Sequence, residues 1–272
     1  MGIRSLNKYL YNNCSKSSIR KIFINELKGK TIVVDTSIYI YKYLKEGKLE
    51  ENFTTLINSF LKNGIRPIFI FDGKTPANKI DLVKERSKRK KDAESEYTII
   101  KEQDYEDERL IELKKRFVRV RQENIDSLKN IMHQFKVETI QCEWEADSTC
   151  ANYVKSGVAW ACLSDDMDML VYGCGKVIRD FSLNSLSGQF YVLHNILKDL
   201  KLSMVDFRYI MVISGTDYSI TDSSEVTLDK TLSLYSKYQD DKTNQTFYQW
   251  LLINSSYIRN YDELIHIHKL FC

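Results

Sequence analysis

Two short apolar runs that end in aspartate, TIVVD at 31–35 and PIFIFD at 67–72, most constrain what this chain can fold into. Each is built from β-branched or aromatic residues. Between them FTTLINSFLKNG, at 53–64, spaces its apolar residues as a helix does and closes on Gly64. Strand, crossover helix and strand make a β-α-β unit, whose two strands run parallel. In an open sheet of that kind both aspartates leave on the same side, which is where such sheets bind ligands.

The rest of the chain continues the alternation. VETIQ (137–141) and VAWACLS (158–164) read as strands, with ADSTCANYVKSG between them as a helix closed by Gly157. VIRDF (177–181) and QFYVL (189–193) read as a further strand and a hairpin partner. SMVDFRYIMVISG opens on a capping-box pattern, Ser203 followed by Asp206, and ends at Gly215. From Lys79 to about Phe135 the sequence is highly charged, helical in period and free of proline and glycine. Its stretch DAESEYTIIKEQDYEDERL is thin in core-forming residues, which predicts a helical excursion projecting from the body. At 272 residues the economical description is one α/β domain with a helical C-terminal extension. No apolar run is long enough to span a bilayer, and MGIRSLNKYL lacks a signal-peptide core, so the expectation is a soluble intracellular protein of nucleus or cytoplasm.

The segment CLSDDMDMLVYG, 162–173, delivers an apolar run into Asp165, Asp166 and Asp168. Like charges this close repel, and each is costly to desolvate unless a cation or a proton shares the site. Comparable acids stand elsewhere: Asp35 and Asp72 at strand ends, Glu145 and Asp147 in EWEADSTC, and Asp217 in SGTDYS. Seven carboxylates from five segments are thus expected on one rim. The i, i+2 spacing of Glu145/Asp147 and of Asp166/Asp168 directs two carboxylates to one pocket. An all-oxygen acidic cluster suits Mg²⁺, or Mn²⁺ in its place, and two such ions about 4 Å apart activate a water and stabilise the leaving oxygen of a phosphodiester. The competing reading is local: a lone aspartate after a strand is commonly a helix N-cap or turn residue, and DDMD alone reads as a capped helix start. The six cysteines form no C-x-x-C pair and read as reduced, mostly buried thiols; His133, His194, His266 and His268 form no H-E-x-x-H, and the last two alternate as in a strand or tail.

Net charge, 40 basic against 37 acidic residues, decides nothing about partners. Its distribution says more: KERSKRKK at 84–91 and KKRFVRVR at 114–121 concentrate positive charge in two neighbouring segments. A solvated helix face, or a nuclear-localisation lookalike at 88–91, accounts for these equally well.

With MGI, VVDTSIYIY, NGIRPIFIFDGKTP, EADSTCANYVKSG, SDDMDMLVYG and SGTDY in this order and spacing, the chain resembles the flap endonuclease family of structure-specific 5′-nucleases, of the PIN-like superfamily, from Met1 to about Tyr218. The resemblance implies an α/β fold with a PIN-like parallel-sheet core flanked by helices (1–218), a helical arch inserted at 79–121, and a helical extension at 219–272. It implies metal-dependent hydrolysis of DNA carrying a 5′ flap, nick, gap or junction, in replication, repair or recombination. Matched residue by residue, the metal carboxylates are Asp35, Asp72, Glu145, Asp147, Asp166, Asp168 and Asp217. Lys79 and Arg86 match the pair at the arch base that contacts the scissile phosphate; seven apart, they lie near one helix face and can clamp growing charge. Tyr41 matches an aromatic that stacks on a nucleobase, and Gly2 a residue near the duplex junction. Lys115, Arg116, Arg119 and Arg121 then serve as phosphate contacts of the arch.

The chain also departs from the family. After SGTDYS it reads ITDSSEVTLDKTLSLYSKY, with no glycine where the family carries a helix-hairpin-helix, and it closes on HKLFC without a recognisable sliding-clamp motif. Glu143 and Asp165 are extra acids, read as lying behind the ligands or facing solvent. Two prolines and the reduced tail suit a large DNA virus or another AT-rich genome. The alternatives to a nuclease of this kind are a non-catalytic nucleic-acid-binding replication scaffold that has kept the fold, and a PIN-like ribonuclease.

Overall fold

The computed structural model describes residues 3, 5–75, 79–102, 108–216, 218, 227–258 and 260–272. Gly2 and Asp217 lie outside the described residues. In chain order the elements begin with α1 (Leu6–Asn13), β1 (Ile19–Phe23), β2 (Thr31–Asp35), α2 (Thr36–Lys45), α3 (Leu49–Lys62), β3 (Arg66–Phe71), α4 (Ile80–Glu102), α5 (Glu108–Arg116), α6 (Gln122–Gln134) and β4 (Glu138–Gln141). They continue with α7 (Ala146–Lys155), β5 (Ala161–Leu163), α8 (Asp168–Val171), β6 (Lys176–Ser182), β7 (Ser187–Val192), α9 (Leu193–Leu200), α10 (Met204–Ile213), α11 (Leu228–Asp240), α12 (Phe247–Asn254) and α13 (Tyr261–Leu270). The chain divides into two compact units: one comprises 1–22, 147–181 and 187–272, the other 23–146 with 182–186.

The unit built from 23–146 contains the expected β-α-β. Its strands lie in the order β2-β3-β4, all parallel, with Asp35 opposite Ile70 and Phe71 opposite Gln141. Ile32, Val33 and Val34 of β2 and Ile68 to Phe71 of β3 are all buried, the continuous apolar signature of strands covered on both faces. The crossover α3 buries Phe53, Leu56, Ile57 and Phe60, spaced as one helix face, and Phe53 meets Phe69 of β3 with ring centroids 6.1 Å apart. It starts at Leu49, four residues before the expected start, because Glu50 and Glu51 favour a first helical turn. The helices α4 and α5 form the excursion anticipated from the charge pattern. They hold to each other through the Tyr97–Phe117 ring pair at 5.3 Å and buried Ala93 and Leu113. Ion pairs Arg109–Glu96 and Arg119–Glu94, each 2.6 Å, flank that contact.

In the other unit the strand order is β1-β7-β6-β5, with β5 parallel to β6. Neighbours β6 and β7 are joined only by residues 183–186, too few for a parallel crossover, so they form the expected hairpin. Strand β5 is shorter than VAWACLS: Gly157 turns with φ +79° and Val158 is exposed, so pairing begins at Ala161. At α10 the Ser203 hydroxyl oxygen accepts from the Asp206 N–H at 3.1 Å, the cap foreseen from the sequence. The C-terminal helices bury an aromatic core in which Tyr235 meets Phe247 at 5.1 Å and Tyr209 meets Tyr248 at 4.5 Å. His266 and His268 sit in α13, not in a strand or tail: the pattern YDELIHIHKL is helical, capped by Asn260. Among the described residues no helix is long and apolar enough to cross a membrane.

Candidate metal and nucleic-acid site

The expected carboxylates divide between the two units. Asp35, Asp72 and Glu145 belong to the β2-β3-β4 unit, and Asp147, Asp166 and Asp168 to the other; Asp217 lies outside the described residues.

In the first set, Asp35 ends β2 in the N-cap position of α2, is buried, and makes no capping bond. The local explanation for an aspartate there, helix capping, therefore does not apply. Asp72, exposed after β3, accepts the Ala146 N–H on Oδ1 at 2.7 Å and so caps α7 from 74 residues away. Its carbonyl also takes the Gln141 side-chain amide. The two loops beyond β3 and β4 are tied together by Gly73 N–H to Trp144 C=O at 2.6 Å and Lys74 N–H to Glu143 C=O at 2.8 Å. Position 73 has to be glycine, because a Cβ there would strike the carbonyls of Cys142 and Glu143. Those ties set Glu145, which accepts from Lys79 Nζ at 2.7 Å. With only 7% of Lys79 exposed, this ion pair is largely desolvated.

The base of α4 gathers further groups. Burial raises the Tyr41 phenol above its usual 10.0, the Asp72 carboxylate adds to that, and the Arg86 guanidinium opposes it. Lys90 Nζ stands 4.8 Å from the Tyr41 ring centroid. Burial lowers its ammonium below 10.5, and Lys45, Arg119 and Arg86 push the same way. Arg86, Lys90, Arg119 and Lys45 thus form a positive cluster beside Tyr41. The other basic residues anticipated for the arch do not join it: Lys115 pairs with Glu112 at 2.6 Å on its own helix, and Arg116 and Arg121 face solvent.

In the second set, Asp147 occupies the first turn of α7, half-buried. Asp166 and Asp168, 6% and 5% exposed, follow β5, and Asp166 Oδ1 accepts the Asp168 N–H at 3.0 Å. The extra acid Asp165 has structural work: its Oδ1 accepts the Asp180 N–H at 2.7 Å, and its carbonyl accepts from Arg179 Nη2 at 2.9 Å. Arg179, buried and unforeseen from the sequence, thereby anchors the DDMD loop to β6. Glu143 is exposed.

As donors these carboxylates fit a hard divalent ion, offering oxygen with no thiolate or imidazole among them. Among the described residues no three His, Cys, Asp or Glu side chains form one group able to hold an ion. None of the six cysteines is in a disulfide; Cys150, Cys162 and Cys174 are buried, Cys14 and Cys142 half-buried, and Cys272 exposed. A cavity of about 720 Å³ opens at the opposite ends of β3 and β4, lined by Leu61, Arg66, His133, Lys136 and Glu138, away from the acids.

Parallel strands that end in acids, one unit of them carrying an inserted helical pair with a cationic base, make a PIN-like α/β fold. The XPG N-terminal domain family matches residues 1–93 and the XPG I-region family residues 136–217. Flap endonuclease 1 of Leishmania major is 32% identical over 241 residues, covering 80% of this chain and 60% of that protein. The Methanococcus aeolicus flap endonuclease 1 is 28% identical over 267 residues, covering 92% and 78%. The solved catalytic core of Rad2 in complex with DNA substrate superposes with a TM-score of 0.71 at 18% identity, over 99% of this chain and 85% of that one. The chain belongs to the flap endonuclease family, nucleases that are in general metal-dependent. It spans 60% of the length of the Leishmania relative.

Proposed function

We propose that this chain is a structure-specific 5′-nuclease that hydrolyses DNA phosphodiesters at 5′ flaps, nicks, gaps or junctions with two Mg²⁺ ions, Mn²⁺ substituting. The observation that carries it is the burial of Asp166 and Asp168 after β5, within the segment matched by the I-region family. Two carboxylates withdrawn from water beside each other call for a cation. Asp35, Asp72, Glu145, Asp147 and Asp217 complete the ligand set in this reading. Bound ions would supply an activated water and stabilise the leaving oxygen.

The chain's own residues have separate tasks. Lys79, held by Glu145, and Arg86 neutralise the scissile phosphate as charge builds on it. Tyr41 offers a ring to the adjacent nucleobase, and Arg119, with Lys115, Arg116, Arg121 and Gly2, contacts phosphates or the duplex end without reading sequence. DNA is the partner, as in the Rad2 complex.

Incubating the protein with labelled flap, nicked, hairpin and RNA substrates, with Mg²⁺ or with EDTA, tests this. Cleavage of flap DNA in Mg²⁺ that EDTA abolishes is expected. Cleavage of RNA alone would make it a ribonuclease, and binding without cleavage a scaffold.

A further inference from the structure

Trp144 is the residue next to Glu145, yet 51% of it is exposed. Among the described residues its indole enters no hydrogen bond, ring contact or cation–π pair. A large ring half in water contributes little to the fold, and this one stands on a loop whose backbone is tied at two neighbouring positions. That loop is rigid at this point. The Trp144 carbonyl accepts from Gly73 N–H at 2.6 Å, the Glu143 carbonyl accepts from Lys74 N–H at 2.8 Å, and the close approach tolerates no side chain at 73. A ring presented from a pinned backbone loses little entropy on contact, the condition under which an aromatic residue binds well. Exposed Lys74 belongs to the loop paired with it, its N–H donated to the Glu143 carbonyl, so one pair of tied loops carries both an exposed aromatic and an exposed cation. Nucleic acid offers both complements, a base with a π-face and a phosphate one sugar away.

We propose that Trp144 is a substrate-contacting residue that stacks on a nucleobase adjoining the scissile phosphate, with Lys74 on the neighbouring phosphate. The inference rests on the nuclease reading above and adds to it a contact that neither the carboxylates nor the arch provides. Because stacking uses the face common to all bases, the contact is tolerant of sequence.

The test is binding of a fluorescein-labelled 5′-flap duplex in EDTA, where nothing is cleaved. W144A is expected to weaken affinity about tenfold, and W144F to stay within about threefold of wild type. Quenching of intrinsic tryptophan emission on adding unlabelled duplex should be large in wild type and largely lost in W144A, since Trp160 and Trp250 remain in both. Circular dichroism melts of W144A should match wild type, the ring being exposed. An affinity for W144A within twofold of wild type, or an unchanged quench, overturns the stacking contact while leaving the nuclease reading intact wherever wild type still cuts. Wild-type protein that binds no flap duplex overturns both.

Discussion

The acids after β5 and the bases along α4 are equally dense in charge and opposite in their relation to water. Asp166 and Asp168 are buried, 6% and 5% exposed, whereas Lys84, Arg86, Lys88, Arg89 and Lys91 are exposed. A buried charge costs stability and is kept for what it can hold. An exposed one costs almost nothing, acts at a distance and is screened by salt. Substitutions in the two regions should therefore separate stability from activity in opposite ways.

The largest effect belongs to the buried acids. D168N is expected to lower turnover on a flap substrate about a thousandfold, the equivalent of ~4 kcal/mol of transition-state stabilisation. Without metal the same variant should unfold at a higher temperature, by about 1 kcal/mol, because a desolvated charge has been removed. Thermal melts in EDTA beside single-turnover cleavage in Mg²⁺ check both; a D168N protein that cuts as well as wild type breaks the contrast at its root.

Lys79 tests the case between the extremes, a cation immediately before α4 that is buried with its partner. K79M leaves Glu145 partly desolvated with its 2.7 Å partner gone, and should cost about 2 kcal/mol in urea unfolding and about a hundredfold in turnover. K79M/E145Q should recover the stability and not the turnover. If stability stays low in the double variant, the pair is not what holds this corner.

How much of this could be read from the sequence depends on how local the causes are. Strands β2 and β3 were legible to within a residue because both faces are buried and the apolar run is unbroken. IRKIF of β1 was not, since Arg20 and Lys21 interrupt it and only Ile19 and Ile22 are buried. TSIYIYKYLK of α2 mixes β-branched and aromatic residues whose period is ambiguous, and burial of Thr36, Tyr39, Ile40 and Tyr43 on one helical face settles it. The site residues were legible as types at spacings. Their partners were not: Lys79 finds Glu145 across 66 residues, and Asp72 caps a helix 74 residues away, through loops that no local rule joins. Trp144 was passed over because the pair that follows it, Glu145 and Asp147, carried the motif.

Arg86, exposed on α4, sharpens the other side of the contrast. R86A should lower turnover about thirtyfold, with the melting midpoint moved by no more than about 0.5 kcal/mol of stability. A large loss of stability in R86A would mean that the helix base is a packing element.

The smallest expected effect is at Lys90, where the exposed and buried regimes meet. Burial, then Lys45, Arg119 and Arg86, lowers its folded-state ammonium below 10.5. Below the folded pKa the ammonium is charged in both states, and crowding it against three cations destabilises the native chain. Between the folded pKa and 10.5 the unfolded chain binds the proton and the native chain does not, so stability rises with pH through that window. K90M should abolish that alkaline rise and melt slightly higher at neutral pH. A DNA phosphate placed beside Lys90 works in the reverse direction, restoring the proton and using the charge. In K90M the slope of log affinity against log salt should accordingly fall by about 1. An unchanged slope would show that the cation cluster beside Tyr41 repels itself without meeting the substrate.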